Sequence, residues 1–357
     1  MRKTTGMQAH SSTSKVRLPF IDFMKGLCIM LIVMVHVEGT FFDNILPNLN
    51  NALQSFRIPL YYFLSGLFFK TYSGFSDFTR RKVNNLVIPF VFFHLLCCLV
   101  TLLIFELKDN FVRPQEIGFA WMCFVEPLYL RDWHYTVPLW FLMSLFEVNI
   151  IYYALQRWLK PVVTLCAVVV ISMIGYLLFV NHMELPLHFD TALVGLPYFV
   201  LGSMFKQHGA LQPHPAERWA WLVAIPVFVA IYFVARRIDI HMQIVPNYLL
   251  LYGVPFVAIA ALFFACKPLG YVPVLCYWGR YSIVILGTHA TIIEPIRLFF
   301  IHRGLSTMWV ASCTFVVTML VVTAVIWLFV RIFPRFTAQQ PFFHEHWRIS
   351  QSKPETI

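Results

Sequence analysis

Two side chains in the first apolar stretch have the types and the spacing that proton-transfer chemistry needs. Residues 18–42, LPFIDFMKGLCIMLIVMVHVEGTFF, contain Lys25 and His36, which are eleven residues apart. In an α-helix this spacing is about three full turns, so both side chains lie on one face, roughly 16 Å apart along the axis. Ionisable groups at membrane depth are costly and are usually retained for function. His36 is therefore a candidate general base, because a neutral imidazole accepts a proton near neutral pH. The alternative is a histidine whose hydrogen bonds are satisfied inside a helix bundle.

A second candidate group is the basic cluster Arg80, Arg81 and Lys82. Such a cluster can hold phosphates by charge and by forked hydrogen bonds. It can equally be a membrane anchor that contacts anionic lipid headgroups. Both interpretations stay open from position alone. Ser65 and Gly66 lie in the next apolar run, where small residues favour close helix packing over a catalytic serine, because no GxSxG motif surrounds them.

Two further positions could contribute to a site. In WGRYSIVILGTH, residues 278–289, Arg280 precedes His289 and repeats the order of a cation followed by a histidine. Glu147 lies in the middle of an apolar run, where it needs a partner or must be protonated. The cysteines show no CxxC pair and no spacing typical of metal ligands, so we expect no metal.

The composition indicates which elements must position these residues. The chain has 357 residues, of which 59% are hydrophobic and 12% charged, with a mean hydropathy of +0.70. Soluble globular proteins are about a quarter charged. We therefore predict an all-α integral membrane protein, a bundle of about ten transmembrane helices. Their predicted ranges are 18–42, 53–70, 86–107, 137–156, 161–180, 189–206, 218–236, 246–266, 280–301 and 307–333.

The distribution of charge predicts the topology and excludes a nucleic-acid partner. The net charge is +10, but the basic residues lie in short loops between apolar runs, which is typical of membrane topology. With the N-terminus inside, 17 Lys and Arg fall on the inner side and 8 on the outer side, Arg57 and the discordant pair Arg236 and Arg237 among the latter. We expect a multi-pass protein of the cytoplasmic membrane, with the lipid bilayer as its surroundings and both termini in the cytoplasm.

Three regions follow from this reading. Residues 1–16 are predicted to be a disordered cytoplasmic N-terminus, 17–333 the transmembrane domain, and 334–357 a cytoplasmic C-terminal tail. The segment 115–130 is predicted to be a re-entrant or interfacial piece, and the region 236–246 leaves room for a miscounted helix.

Five motifs in order resemble the acyltransferase-3 family of multi-pass membrane proteins. The family has a cation, ten residues and a histidine in its first helix, which Lys25 and His36 match. The other matches are YYFLSGLFF at 61–69, RRKVNNLVIP at 80–89, PLWFL at 138–142, and Gly279, Ser282 and His289. The chain departs from the pattern with Lys25 in place of the commoner arginine, and with Asn84 and Asn85 where members often have arginine. The likeness is to stand-alone members similar to fucose 4-O-acetylase and the glucan succinyltransferases.

This resemblance implies a membrane O-acyltransferase. Such an enzyme moves an acyl group, usually acetyl, from acyl-coenzyme A to a hydroxyl of a cell-surface glycan or lipid-linked sugar. It implies His36 as general base and His289 as a possible donor to the oxyanion. The donor phosphates would lie near Lys25 and the basic cluster Arg80, Arg81 and Lys82, with acetyl-CoA as co-substrate. Residues expected at the substrate are Asp22, Ser65, Trp140, Glu147 and Ser282.

Two other functions remain open from the residues. A proton-coupled small-molecule transporter also places histidines, acids and kinked helices in a bundle. A polysaccharide exporter is the nearer alternative, because exposing a glycan is a transport step.

Overall fold

The computed structural model describes residues 18–37, 46–107, 121, 124–125, 137–269 and 271–343. The predicted N-terminal region 1–16, residues 38–42 of the first predicted helix, most of 115–130, and residues 344–357 of the tail lie outside the described residues. The α-helices, labelled α1 to α12, are Pro19–Val37, Leu49–Gly66, Phe75–Lys82, Ile88–Leu107, Trp140–Trp158, Pro161–Val180, Phe189–Gln207, Ala220–Val234, Tyr248–Leu269, Pro273–Arg280, Ser282–His302 and Thr307–Ile332.

The predicted all-α membrane fold is confirmed. Each of the ten predicted helices has a counterpart, and the described part of the chain contains seven candidate spans long and apolar enough to cross a bilayer. α3 and α10 are additional short helices of 8 residues each. Within the described residues, extended pairing is limited to one isolated bridge between Asp239 and Ile244. That bridge closes the loop between α8 and α9, so the region 236–246 contains no further helix.

The helices α2, α5 and α7 fall short of the composition of a membrane span because they carry polar groups toward one another. Tyr62 on α2 and Ser144 on α5 share a hydrogen bond of 2.6 Å, and the Thr191 hydroxyl on α7 donates to Ser144 at 2.8 Å. About two turns further along α5, the Tyr152 hydroxyl donates to Ser203 at 3.2 Å. All of these side chains are buried. Hydrogen bonds between helices are a means of association in lipid, so these three helices form the polar centre of the bundle.

Glycine allows two helix pairs to approach closely. A Cβ added at Gly26 on α1 would collide with the backbone carbonyl of Leu275 on α10. A Cβ added at Gly66 on α2 would likewise collide with the carbonyl of Phe199 on α7. The predicted packing role of Gly66 is therefore confirmed, and both contacts fix helices that carry candidate site residues.

A π-helical segment, Val83–Val87, joins α3 to α4. Pro89 follows it, and proline has no N–H to donate to the carbonyl four residues earlier. The Ile88 N–H instead donates to the carbonyl of Val83, five residues back. The wider turn buries Asn84, whose side chain hydrogen-bonds both backbone groups of Phe343 at 3.1 and 2.9 Å. The segment thereby fastens the start of the C-terminal tail to the bundle.

Candidate functional site

One cavity of about 460 Å³ lies inside the bundle and is lined by residues of α1, α2, α3, α5 and α11, by the π-helical segment, and by the loop between α8 and α9. Because α1 and α2 run in opposite directions, the cavity can be described by two ends. At the basic end α1 begins and α2 ends, and Lys25 and Lys82 line the wall. At the opposite end α1 ends and α2 begins, and Asp239 and His241 line the wall.

The basic end combines two cations with hydroxyl and amide groups. The Lys25 ammonium lies 5.2 Å from the ring centre of Phe68, and the Lys82 ammonium 5.5 Å from that of Phe78. Ser65, Asn85 and Ser282 complete the polar lining. Cations beside neutral donors form a suitable binding surface for phosphate oxygens.

Tyr61 ties the helices together at this end. Its hydroxyl donates to the backbone carbonyl of Lys25 at 3.1 Å, and Ser282 lines the same cavity from α11. The phenol therefore links α2 to α1 beside the two cations. Sequence reasoning did not identify Tyr61 as a site residue.

His36 lies one residue before the end of α1, and its exposed side chain lines the cavity. Its Nδ1 lies 2.8 Å from the carbonyl oxygen of Ile32. A carbonyl only accepts, so Nδ1 carries the proton and Nε2 keeps its lone pair. The local helix geometry thus sets the tautomer that a general base needs.

His289 supports His36 from behind and does not line the cavity formed by the described residues. The two rings meet edge to face, with centres 5.0 Å apart and planes at 78°. His289 is fully buried, and its Nδ1 lies 2.7 Å from the carbonyl of Ile285, so its Nε2 is an acceptor. An acceptor nitrogen away from the cavity is poorly suited to donate to an oxyanion, and His289 is better placed to orient His36.

The opposite end is walled by aromatic rings. Trp140 at the start of α5 stacks on His241 with ring centres 5.3 Å apart and planes at 11°, and His188 lies 5.5 Å from Trp140. His188 is held in a left-handed backbone conformation, φ 63°, directly before α7. The loop residues Ile238 and Ile240 are buried and also line the cavity. The stack gives the cavity a flat apolar face with polar edges, which suits a ring-shaped substrate.

Gln54 and Arg57 also line the cavity, although neither was predicted as a site residue. Arg57 was counted with the outer loops, but it lies inside α2, and its side chain is half-buried and open to the cavity. Without Arg57 in the count, Lys and Arg are still more numerous on the predicted inner side. The signal in the sequence was the spacing of Gln54, Arg57, Tyr61 and Ser65, which are three or four residues apart and share one helix face.

The structure brings six of the predicted site residues to this cavity: Lys25, His36, Ser65, Lys82, Trp140 and Ser282. Five others do not line it: Asp22, Arg80, Arg81, Glu147 and His289. Arg81 instead forms an ion pair with Asp77 at 3.0 Å and packs 4.6 Å from the ring centre of Tyr72.

Asp22 and Glu147 lie in helix contacts away from the cavity. The backbone carbonyl of Asp22 packs against Gly279 where α1 meets α10. Glu147 lies on α5, where its Oε2 is buried without a hydrogen-bond partner among the described residues. Neither residue lies where it can contact a molecule in the cavity.

Fold and site together define a multi-pass helical membrane protein whose internal cavity holds a histidine with a free acceptor nitrogen. The profile of the acyltransferase-3 family, described as an acyltransferase domain, matches residues 18–331. The chain therefore belongs to the acyltransferase-3 family and is a membrane acyltransferase. Comparison with curated proteins and with solved structures gave no match.

Proposed function

We propose that the protein is an O-acyltransferase that moves an acyl group, acetyl in the first instance, from acyl-CoA to a hydroxyl of a cell-surface glycan or lipid-linked sugar. One observation carries this proposal. A single cavity has cations at one end, an aromatic wall at the other, and the acceptor nitrogen of His36 between them.

The two ends are suited to different substrates. The phosphates of coenzyme A would bind at the basic end, near Lys25 and Lys82. The pantetheine arm would then run along α1 toward His36, a distance of roughly 16 Å by helix rise. The sugar would enter at the opposite end, against the ring of Trp140.

The chemistry assigned to His36 is general base catalysis. Its Nε2 accepts the proton of the sugar hydroxyl while that oxygen attacks the thioester carbonyl, and the proton then passes to the departing thiolate of coenzyme A. His289 is a positioning residue that holds the plane of the His36 ring. This reaction needs no metal.

The excess of basic residues near one end of the bundle supports a cytoplasmic-membrane location with the basic end facing the cytoplasm, where acyl-CoA is made. Both termini would then be cytoplasmic.

The proposal is tested with purified protein in nanodiscs, radiolabelled acetyl-CoA, and a panel of mono- and oligosaccharides as acceptors. We expect label to move to a sugar with release of one free thiol per ester formed. Export of a sugar across proteoliposomes without thioester consumption would instead indicate a transporter and reject the proposal.

A further inference from the structure

Arg57 is a half-buried cation, and the described residues provide no ion pair for its charge. Its Nη1 is buried without a hydrogen-bond partner, and Arg57 forms no ion pair with any described residue. The nearby carboxylate of Asp239 is engaged elsewhere, by Arg237 at 3.4 Å and by the Met242 N–H at 3.1 Å. Removing a charge from water costs several kcal/mol unless an opposite charge compensates it. The cavity is therefore built to receive negative charge at Arg57.

The depth of Arg57 in the bundle follows from two contacts. The Cys28 thiol donates to the Arg57 carbonyl at 2.9 Å, and the Tyr61 hydroxyl donates to the Lys25 carbonyl. The Arg57 backbone thus lies near the level of Cys28 on α1. His36 is eight residues further along α1, or about 12 Å.

The side chains close this gap from both sides. Side chains of an α-helix lean toward its N-terminus. On α1 this brings the His36 ring back toward Ile32, as its Nδ1 contact shows. On the antiparallel α2 it directs Arg57 toward His36. The guanidinium and the imidazole therefore lean toward the same depth of the cavity, which both residues line.

We propose that Arg57 is a catalytic residue that binds the thioester carbonyl oxygen and stabilises the oxyanion of the tetrahedral intermediate. This inference rests on the proposed function. As the sugar oxygen bonds to the carbonyl carbon, its proton passes to Nε2 of His36 and the carbonyl π pair moves to oxygen, where the guanidinium N–H groups donate to it. When the carbonyl re-forms, the C–S bond breaks and the thiolate takes the proton from His36.

The position of Arg57 inside the bundle makes this interaction strong. Donors that are fixed in a water-poor site need no reorganisation when the charge develops, and loss of one such donor typically lowers kcat by about 10² to 10³. A carboxylate on the acyl chain is the other anion that could satisfy Arg57. The two roles of Arg57 predict different results with acetyl and succinyl donors. An oxyanion forms from both donors, whereas only the succinyl group carries a carboxylate.

The test compares Arg57→Gln, Arg57→Lys and Arg57→Ala with Arg297→Gln as control. Arg297 lies on α11, paired with Glu294 at 3.0 Å and away from the cavity. We measure kcat and KM with acetyl-CoA and with succinyl-CoA, and the Kd for coenzyme A. For Arg57→Gln we expect kcat to fall by about 10² to 10³ with any donor that the wild type uses, while KM and Kd stay within about threefold. Arg57→Lys should retain part of the rate, and added guanidinium should partly restore Arg57→Ala.

Three results would overturn the inference. A loss confined to succinyl-CoA would make Arg57 a binding site for the acyl carboxylate. A loss without rescue by guanidinium, together with reduced thermal stability, would make Arg57 structural. Full activity of Arg57→Gln beside an inactive His36→Asn would reject the oxyanion role while leaving the proposed function intact. Wild-type protein that consumes no acyl-CoA would reject the proposed function itself.

Discussion

Replacing His36 with asparagine separates a catalytic histidine from a packing histidine. In the wild type, Nδ1 binds the Ile32 carbonyl at 2.8 Å and Nε2 faces the cavity. The asparagine amide can still donate to Ile32, so the local contact survives and only the base is removed. Loss of a general base lowers the rate by about 10² to 10⁴, which corresponds to roughly 3 to 5.5 kcal/mol of transition-state stabilisation.

The assay is transfer of radiolabel from acetyl-CoA, with protein level and thermal stability in detergent measured in parallel. We expect His36→Asn to insert normally and to transfer label at least about 10²-fold more slowly. His302→Asn is the matched control, because its Nδ1 makes the same contact with a carbonyl four residues earlier, at 2.7 Å, but at the exposed end of α11. His94→Asn is the buried control, on α4 and away from the cavity.

The reasoning would be refuted by full activity of His36→Asn. Equal losses at His36 and His94 would also refute it, because they would indicate general disruption of the bundle. In the first case the search for a base would move to His289.

Three more outcomes are expected. Lys82→Gln should raise KM for acetyl-CoA severalfold with little change in kcat in a steady-state assay. Arg81→Gln removes a cation outside the cavity and should change neither constant. Equal effects of the two substitutions would contradict this distinction. Gly26→Leu should lower expression and thermal stability in detergent, because its side chain would collide with the Leu275 carbonyl, and near-normal stability would disprove the close approach of α1 and α10. A reporter fused after Ile357 should report a cytoplasmic C-terminus, and a periplasmic signal would reverse the proposed orientation.

Sequence reasoning succeeded where the signal was local. The spacing of Lys25 and His36 predicts a shared helix face, and the cavity contains both residues. The ten apolar runs were found because bilayer thickness sets a minimum length for a membrane helix, and a run of apolar residues of that length is visible in the sequence. Short windows of sequence thus predict whether a helix forms and which residues share one of its faces.

The misses came from contacts between distant segments and from one overlooked pair. Asp239 and His241 reach the cavity because the loop between α8 and α9 packs against Trp140 at the start of α5, which no local pattern predicts. Arg81 was assigned to phosphate binding, although Asp77 precedes it by four residues, the spacing of a helical ion pair. That pair could have been found in the sequence, and it leaves Lys82 as the cation of the cluster that lines the cavity.

Arg57 shows why charge in a membrane protein needs a helix assignment before it is interpreted. Counted with the outer loops, it is one more topological marker. Placed on α2, it shares a face with Gln54 and Tyr61 and faces α1 across the cavity. Even a half-buried cation is costly in a bundle this apolar, so its place inside α2 favours a compensating interaction. The described residues provide no ion pair for it, and a reaction that develops negative charge beside His36 would supply that compensation at the moment of transfer.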